Sequence, residues 1–187
     1  MDLFRQLADE WALRSAVIAV DDEMPAKMLL DIEVVLPAAL YRPGGQVLAR
    51  LMRVKDSGEL SAMREAGRIV DEAFPAAVAA LKPGATEIDV QQALTDEIRR
   101  SGGEPTFCIV AAGPNSAEPH HLTDATVICE GDVVIVDYGC SVDGYQADIT
   151  RTVCVGSASV EAREIYALVH RAHQAACTAV KPGVACE

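Results

Sequence analysis

Two apolar runs joined by a short Asp143-Gly144 turn constrain this chain more than any other feature: Ile135-Val136-Asp137-Tyr138-Gly139 on one side and Gly144-Tyr145-Gln146-Ala147-Asp148-Ile149-Thr150-Arg151-Thr152 on the other. The pattern predicts an antiparallel hairpin. Asp137 and Asp148 lie eleven positions apart. A hairpin centred between Val142 and Asp143 makes them direct cross-strand partners, with both carboxylates on one face. Opposed Cβ atoms on one face lie roughly 4.5 to 5.5 Å apart, and like charges there repel. A shared proton offsets that repulsion, and a divalent cation held by both oxygens offsets it better. The plain alternative is a pair of acids on a solvated hairpin face, and the local pattern leaves both readings open. The apolar flanks, Val133 to Val136 and then Ile149, Val153 and Val155, predict strands that are apolar on both faces and carboxylates kept out of bulk water.

The 187 residues suffice for one good-sized domain, or one domain and part of another. A net charge of -12, with no basic run, argues against a nucleic-acid partner, because phosphate binding rests on clustered Lys and Arg. No 18-residue apolar stretch exists to span a bilayer, and Met1-Asp2-Leu3-Phe4-Arg5 lacks the order of a signal peptide, so a cytoplasmic location without a membrane partner is predicted. The six cysteines (Cys108, Cys129, Cys140, Cys154, Cys177, Cys186) show no CxxC spacing and fall mostly in apolar runs. They read as buried free thiols rather than as a zinc or disulfide framework.

Residues 1–52 read as a separate unit: a short strand at 16–20, a helix over 25–36, and a second helical stretch after Pro43-Gly44-Gly45. So little sheet in so short a piece resembles the end of an α/β domain. From residue 53 onward, two segments echo each other at an offset of 99 residues: Arg64-Glu65 and Arg163-Glu164, Ala73 and Ala172, Ala77 and Ala176, Lys82-Pro83-Gly84 and Lys181-Pro182-Gly183. Each copy reads as an amphipathic helix stopped by Pro-Gly. The first copy continues into a helix over 86–100, a strand over 106–111 and then the hairpin. A second copy of equal length would need roughly 70 residues more than the chain has, so the repeat predicts an internal fragment of a larger protein.

Between strand and hairpin lies Gly113-Pro114-Asn115-Ser116-Ala117-Glu118-Pro119-His120-His121. A loop of this composition, ending in two histidines ahead of a carboxylate hairpin, is where a proton-transferring or oxyanion-stabilising imidazole is expected, although histidine pairs on loops are more often solvated. His170 and His173 fall on the second repeat helix and read as surface residues. Tyr145 and Arg151 read as braces of the hairpin, and Thr150, on the face of Asp148, is placed to hydrogen-bond a ligand carboxylate.

The stretch from Phe107 to Gly156 resembles the pita-bread metallopeptidases, a family that includes aminopeptidase P, prolidase, methionine aminopeptidase and the metal-free creatinase. The matching runs are Ile109-Val110-Ala111-Ala112-Gly113-Pro114-Asn115-Ser116-Ala117-Glu118-Pro119-His120, Gly131-Asp132-Val133-Val134-Ile135-Val136-Asp137-Tyr138-Gly139 and Gly144 through Thr152. The resemblance implies an α+β, pita-bread fold, with residues 53–187 as the first half of a pseudo-symmetric catalytic domain and residues 1–52 as the end of a creatinase-type N-terminal domain. It places two metal ligands on Asp137 and Asp148 and the substrate-side histidine on His120. It also implies two divalent ions (manganese, cobalt or zinc), a bridging hydroxide as nucleophile, a peptide substrate cleaved at its amino end at Xaa-Pro bonds, and a homodimeric full-length enzyme.

The family's other ligands, a histidine and two glutamates, belong beyond the second Lys-Pro-Gly, and no residue here matches them. The expectation is therefore a metallopeptidase whose 187-residue piece is inactive alone. The other functional readings are a small-molecule amidohydrolase of the same fold, creatinase-like or ectoine-hydrolase-like, and a pita-bread binding module without catalysis.

Overall fold

The structure is a computed structural model and describes residues 2–185; Cys186 lies outside the described residues. These residues form two compact units, one running up to Asp56 and the other starting at Ser57.

The N-terminal unit contains α1 (Asp2–Glu10), a 3-10 turn (Leu13–Ser15), β1 (Val17–Val20), α2 (Ala26–Val35), β2 (Leu40–Pro43) and α3 (Gly45–Met52). β1 and β2 pair in parallel, Val17 opposite Leu40 through Val20 opposite Pro43, with α2 as the crossover. Its core is small, built from Ala8, Val35, Leu36 and Ala39, with Phe4, Leu13, Ile18, Ile32 and Tyr41 packed around them.

The second unit starts with α4 (Ser57–Ala80) and α5 (Glu87–Arg100), followed by β3 (Glu104–Ala112), a 3-10 turn (Gly113–Ala117), β4 (Val133–Val142), β5 (Tyr145–Cys154) and α6 (Val160–Ala179). The strands form an antiparallel sheet in the order β3-β4-β5. Period-two alternation divides β4 into an inward set, Val134, Val136, Tyr138 and Cys140, all fully buried, and an outward set, Val133, Ile135 and Asp137, that is only half-buried. The inward set meets Ala66, Ile69, Val70, Ala73 and Ala77 of α4 and Val90, Leu94 and Ile98 of α5 in one continuous core. Alanines at 66, 73 and 77 let the α4 backbone approach the sheet closely. α5 is fixed at its start by a capping box, in which the Thr86 hydroxyl accepts from Asp89 N at 3.2 Å and the Asp89 carboxylate accepts from Thr86 N at 2.8 Å.

The strands are therefore not apolar-buried on both faces, contrary to expectation. One face carries the core and the other is open, as in a sheet covered by helices on a single side. The cysteines also divide. All five described ones are free thiols, but only Cys140 is buried, while Cys129 and Cys177 are exposed. Burial pushes the Cys108 thiol up to about 12, with the Asp137 charge adding to the effect. His170 and His173 are exposed on α6.

The repeat gives α6 a clear physical identity. Adding the offset of 99 to the buried α4 residues Ala66, Ile69, Val70, Ala73 and Ala77 gives Ile165, Leu168, Val169, Ala172 and Ala176. These form one apolar helix face, yet α6 has no buried residue, and Leu168 and Val169 are 59% and 61% exposed. Such a stripe promotes association. The isolated chain is expected to self-associate with rising concentration, and Leu168→Glu to shift it toward monomer in size-exclusion chromatography with light scattering. A wild-type chain that stays monomeric at every concentration would contradict this.

Candidate active site

Asp137 and Asp148 lie on the outward face of the sheet, but not as direct partners. β4 and β5 pair Val142 with Tyr145, Gly139 with Asp148, and Asp137 with Thr150. The two loop residues are Asp143 (φ 50°) and Gly144 (φ 83°), both left-handed as a type I′ turn demands, so the hairpin is centred between them, not between Val142 and Asp143. The shift of two residues keeps both carboxylates on the same face and makes them diagonal neighbours, at a Cα spacing of roughly 7 to 8 Å. Asp137 is half-buried and Asp148 exposed, so the expected shielding of both acids from water is corrected as well.

Thr150 sits directly across from Asp137, and its Oγ1 donates to Asp137 Oδ1 at 2.6 Å. That bond fixes the carboxylate's rotation and leaves Oδ2 outside it. On its other side Asp137 is paired with Ile109 of β3. Gly139, across from Asp148, is close-packed. A Cβ there would lie 2.7 Å from Ala147 O, 2.8 Å from Thr106 Oγ1 and 2.9 Å from Phe107 Cε1. The hairpin is braced from behind. Tyr145 donates its hydroxyl to Glu59 Oε1 at 2.7 Å, and Arg151 donates to Asp71 Oδ1 at 3.2 Å with its guanidinium 6.0 Å from the Phe74 ring centroid.

The loop after β3 holds His120 in a left-handed conformation (φ 59°), exposed, with no hydrogen bond or ion pair to either aspartate among the described residues. Its neighbour His121 is buried against Glu87, whose side chain is fully buried at the start of α5. Glu87 Oε1 accepts from Ala112 N (2.7 Å) and Asn115 Nδ2 (3.0 Å), while Oε2 accepts from Asp124 N (3.2 Å) and lies 2.8 Å from His121 Nε2. The bond to Glu87 holds the His121 imidazole above its ordinary pKa against the opposing effect of burial, and the charges of Glu87 and Asp124 act in the same direction. Glu118 Oε2 faces the other ring nitrogen at 3.6 Å. Asp124 is itself held below the usual carboxylate range by its bonds to Thr126.

Glu87, His121 and Asp124 offer ligand atoms within 4.8 Å of one another, a spacing that a cation can bridge. The four hydrogen bonds to Glu87 already use the lone-pair directions of both its oxygens, so in this structure the cluster is a fastening point of the fold. Sequence reasoning missed Glu87 and Asp124, and singled out His121 only as one of the loop's two histidines. Glu87 reads as an ordinary acid in the first turn of a helix, and its partners lie 25 to 37 positions away.

Residues 61–187 match Metallopeptidase family M24. Among curated relatives, the chain is 37% identical over 188 residues to a probable dipeptidase PepE of Mycobacterium tuberculosis, covering 96% of this chain and 50% of the relative. It is 36% identical over 140 residues to a Xaa-Pro dipeptidase of Pyrococcus furiosus, covering 74% of this chain and 40% of the relative. Among solved structures, a prolidase from Thermococcus sibiricus superposes with TM-score 0.87 at 32% identity, covering 98% of this chain and 51% of that one. Dipeptidase PepE from Mycobacterium ulcerans superposes with TM-score 0.84 at 35% identity, covering 97% and 49%. The chain thus spans about half the length of the relatives it matches. The fold is that of the pita-bread prolidases, and the chain belongs to metallopeptidase family M24.

Proposed function

We propose that this chain supplies one half of a divalent-metal peptidase site, with Asp137 and Asp148 as metal ligands and His120 on the substrate side. The observation that carries the reading is the shared outward face of the two carboxylates, with Thr150 orienting one of them. The all-carboxylate donor set suits a hard divalent cation, manganese above all; cobalt and zinc also take carboxylate oxygens but favour added nitrogen donors, and the face is open to ligands from elsewhere. Divalent ions, two in the assembled enzyme, supply the Lewis acidity that peptide hydrolysis needs. The chain's own residues hold the carboxylates in register, and His120 is placed in a loop where an imidazole can bind or protonate a substrate group.

Similarity to the Xaa-Pro dipeptidase and the prolidase supports a peptide substrate cleaved at an Xaa-Pro bond. The proposal includes a cytoplasmic location and, on the family resemblance, a homodimeric assembled enzyme; no helix among the described residues is long and apolar enough to cross a membrane. Among the described residues, no third histidine, cysteine or acid joins Asp137 and Asp148 in a metal-sized cluster. Two protein ligands are too few for a tight two-metal site, so the chain by itself is proposed to be inactive.

Calorimetric titration with manganese and zinc is expected to show weak or absent binding to the chain alone, and no Xaa-Pro cleavage. A chimera in which this chain replaces the matched half of the Mycobacterium tuberculosis PepE is expected to bind two ions and hydrolyse dipeptides, and to lose both with Asp148→Asn. Tight stoichiometric binding by the chain alone would overturn the half-site reading. A folded chimera whose activity survives Asp148→Asn would overturn the ligand assignment.

A further inference from the structure

We propose that Glu87 is a positioning residue: from the first turn of α5 its buried carboxylate holds the 113–124 loop in the one backbone shape that presents His120. The role of His120 rests on the peptidase reading above, whereas the positioning stands on the loop's own geometry.

The loop leaves the sheet at Ala112 and rejoins the body of the unit where Ile128 and Ala85 pair, with a bond of 2.8 Å from Ile128 N to Ala85 O. Between those points its own bonds are all local, Ser116 Oγ to Gly113 O at 2.6 Å, Glu118 N to Asn115 O at 3.0 Å and His121 N to Glu118 O at 3.3 Å, and none of these ties it to the body of the unit. Pro114, Ala117, Glu118, Pro119, His120 and Leu122 are all exposed. Glu87 is bonded near both ends and in the middle: Ala112 N where the loop begins, Asn115 in its 3-10 turn, His121 directly after His120, and Asp124 N where the loop turns back. Asn115 Nδ2 extends the set by donating to Thr126 Oγ1 at 3.1 Å, and Thr123 Oγ1 accepts from Val110 N at 2.9 Å. Glu87 N in turn donates to Thr126 O at 3.1 Å.

The consequence falls on His120. A non-glycine residue at φ 59° is held there only when its surroundings insist on it. Its own side chain is exposed and supplies no such constraint. The nearest buried anchor is His121, one residue on, whose ring is held by Glu87 at 2.8 Å. Removing the carboxylate leaves four buried or half-buried donors without their acceptor, and leaves the Glu118–His121 turn around His120 with only its own 3.3 Å bond from His121 N to Glu118 O.

The test is solution NMR on the full chain, comparing wild type, Glu87→Ala and Glu87→Gln. In Glu87→Ala the β4 and β5 amides are expected to keep their shifts. The amides of Ala112 and Asp124, which donate to Glu87, are expected to exchange at least about tenfold faster, as when a buried hydrogen bond is lost, and the His121 amide, bonded to Glu118 O, to follow as its turn loosens. The coupling and shift signature of positive φ at His120 is expected to vanish. Glu87→Gln keeps the size and one acceptor oxygen, so the Ala112 end is expected to stay protected while the Asp124 end is released.

Glu87→Gln is also expected to lower the His121 titration midpoint toward 6.5, a change that a purely space-filling role would not produce. The sign follows from the raised pKa in the folded state: the stabilisation from His121 is complete below about pH 6.5 and is lost as pH rises through the raised value. The groups facing His121 are Glu87, Glu118 and Asp124. Retention of the positive-φ signature and of amide protection in both variants overturns the proposal. If Glu87→Ala fails to fold, Glu87→Gln decides alone. The metal titration and the chimera test the peptidase reading without using these variants, so either can fail while the other stands.

Discussion

Replacing Gly139 with valine is expected to break the candidate site and to destabilise the second unit by about 3 kcal/mol or more, with alanine costing about 1–3 kcal/mol. Gly139 lies on the outward face, between β3 and β5, with Phe107 as its partner on one side and Asp148 on the other. A Cβ would meet Ala147 O at 2.7 Å, and that oxygen belongs to the β5 backbone, so relief requires the strand to move. The Phe107 ring, also within 2.9 Å of that Cβ, is partly exposed and can rotate aside. The carbonyl contact therefore decides the sign. Moving β5 away from β4 at this point also moves Asp148 relative to Asp137, because Gly139 and Asp148 share a rung of the ladder. Loss of β4 and β5 amide protection in hydrogen exchange, with the N-terminal unit unchanged, is the expected outcome. Wild-type protection in Gly139→Val would show that the sheet accommodates a side chain here.

The hairpin and its consequence for the aspartates were largely legible in the sequence, and the error in register has a simple source. Asp143-Gly144 is itself the two-residue loop, which makes Val142 and Tyr145 the closing pair; placing the centre one position earlier moved every rung by two residues. Because side chains alternate with period two, a slip of two leaves the face unchanged, so the inference that both carboxylates share a face was insensitive to that error. Thr150 bonds Asp137, its direct cross-strand partner, whereas residue order along β5 associates it with Asp148.

The burial of the aspartates was not legible, because an apolar run does not say which of its faces has a partner. Val133, Ile135 and Asp137 have the outward side, and only the packing of α4 and α5 on the inward side reveals it. The repeat was readable as matched residues, but the exposure of the α6 face required the structure. Glu87 was invisible for another reason. Its significance comes from contacts with Ala112, Asn115, His121 and Asp124, which no local pattern connects to a first-turn glutamate.

Tyr138→Ala is expected to cost about 3–5 kcal/mol of stability in the second unit, the range for emptying a large aromatic site in a core, whereas Tyr138→Phe should cost about 1 kcal/mol. Tyr138 is fully buried and its hydroxyl donates to Val70 O at 2.7 Å; burial pushes its pKa up to about 12. Two positions along the strand, Cys140 Sγ lies 3.5 Å from Ala66 O, so the inward face of β4 is tied to α4 at carbonyls one helical turn apart. Asp137 directly precedes this anchor. While Tyr138 points into the core, Asp137 must point out, and a slip of one residue would drive the carboxylate into an apolar interior at a large desolvation cost. The aromatic ring therefore specifies the orientation of the acid as well as the stability of the sheet. Tryptophan fluorescence would miss the effect, because the single tryptophan, Trp11, lies in the N-terminal unit. Denaturant-dependent hydrogen exchange at Val134, Val136 and Cys140 reports on the correct unit. Equal losses in the Phe and Ala variants would place the anchor in the hydroxyl and leave the ring's packing with no measurable part in it.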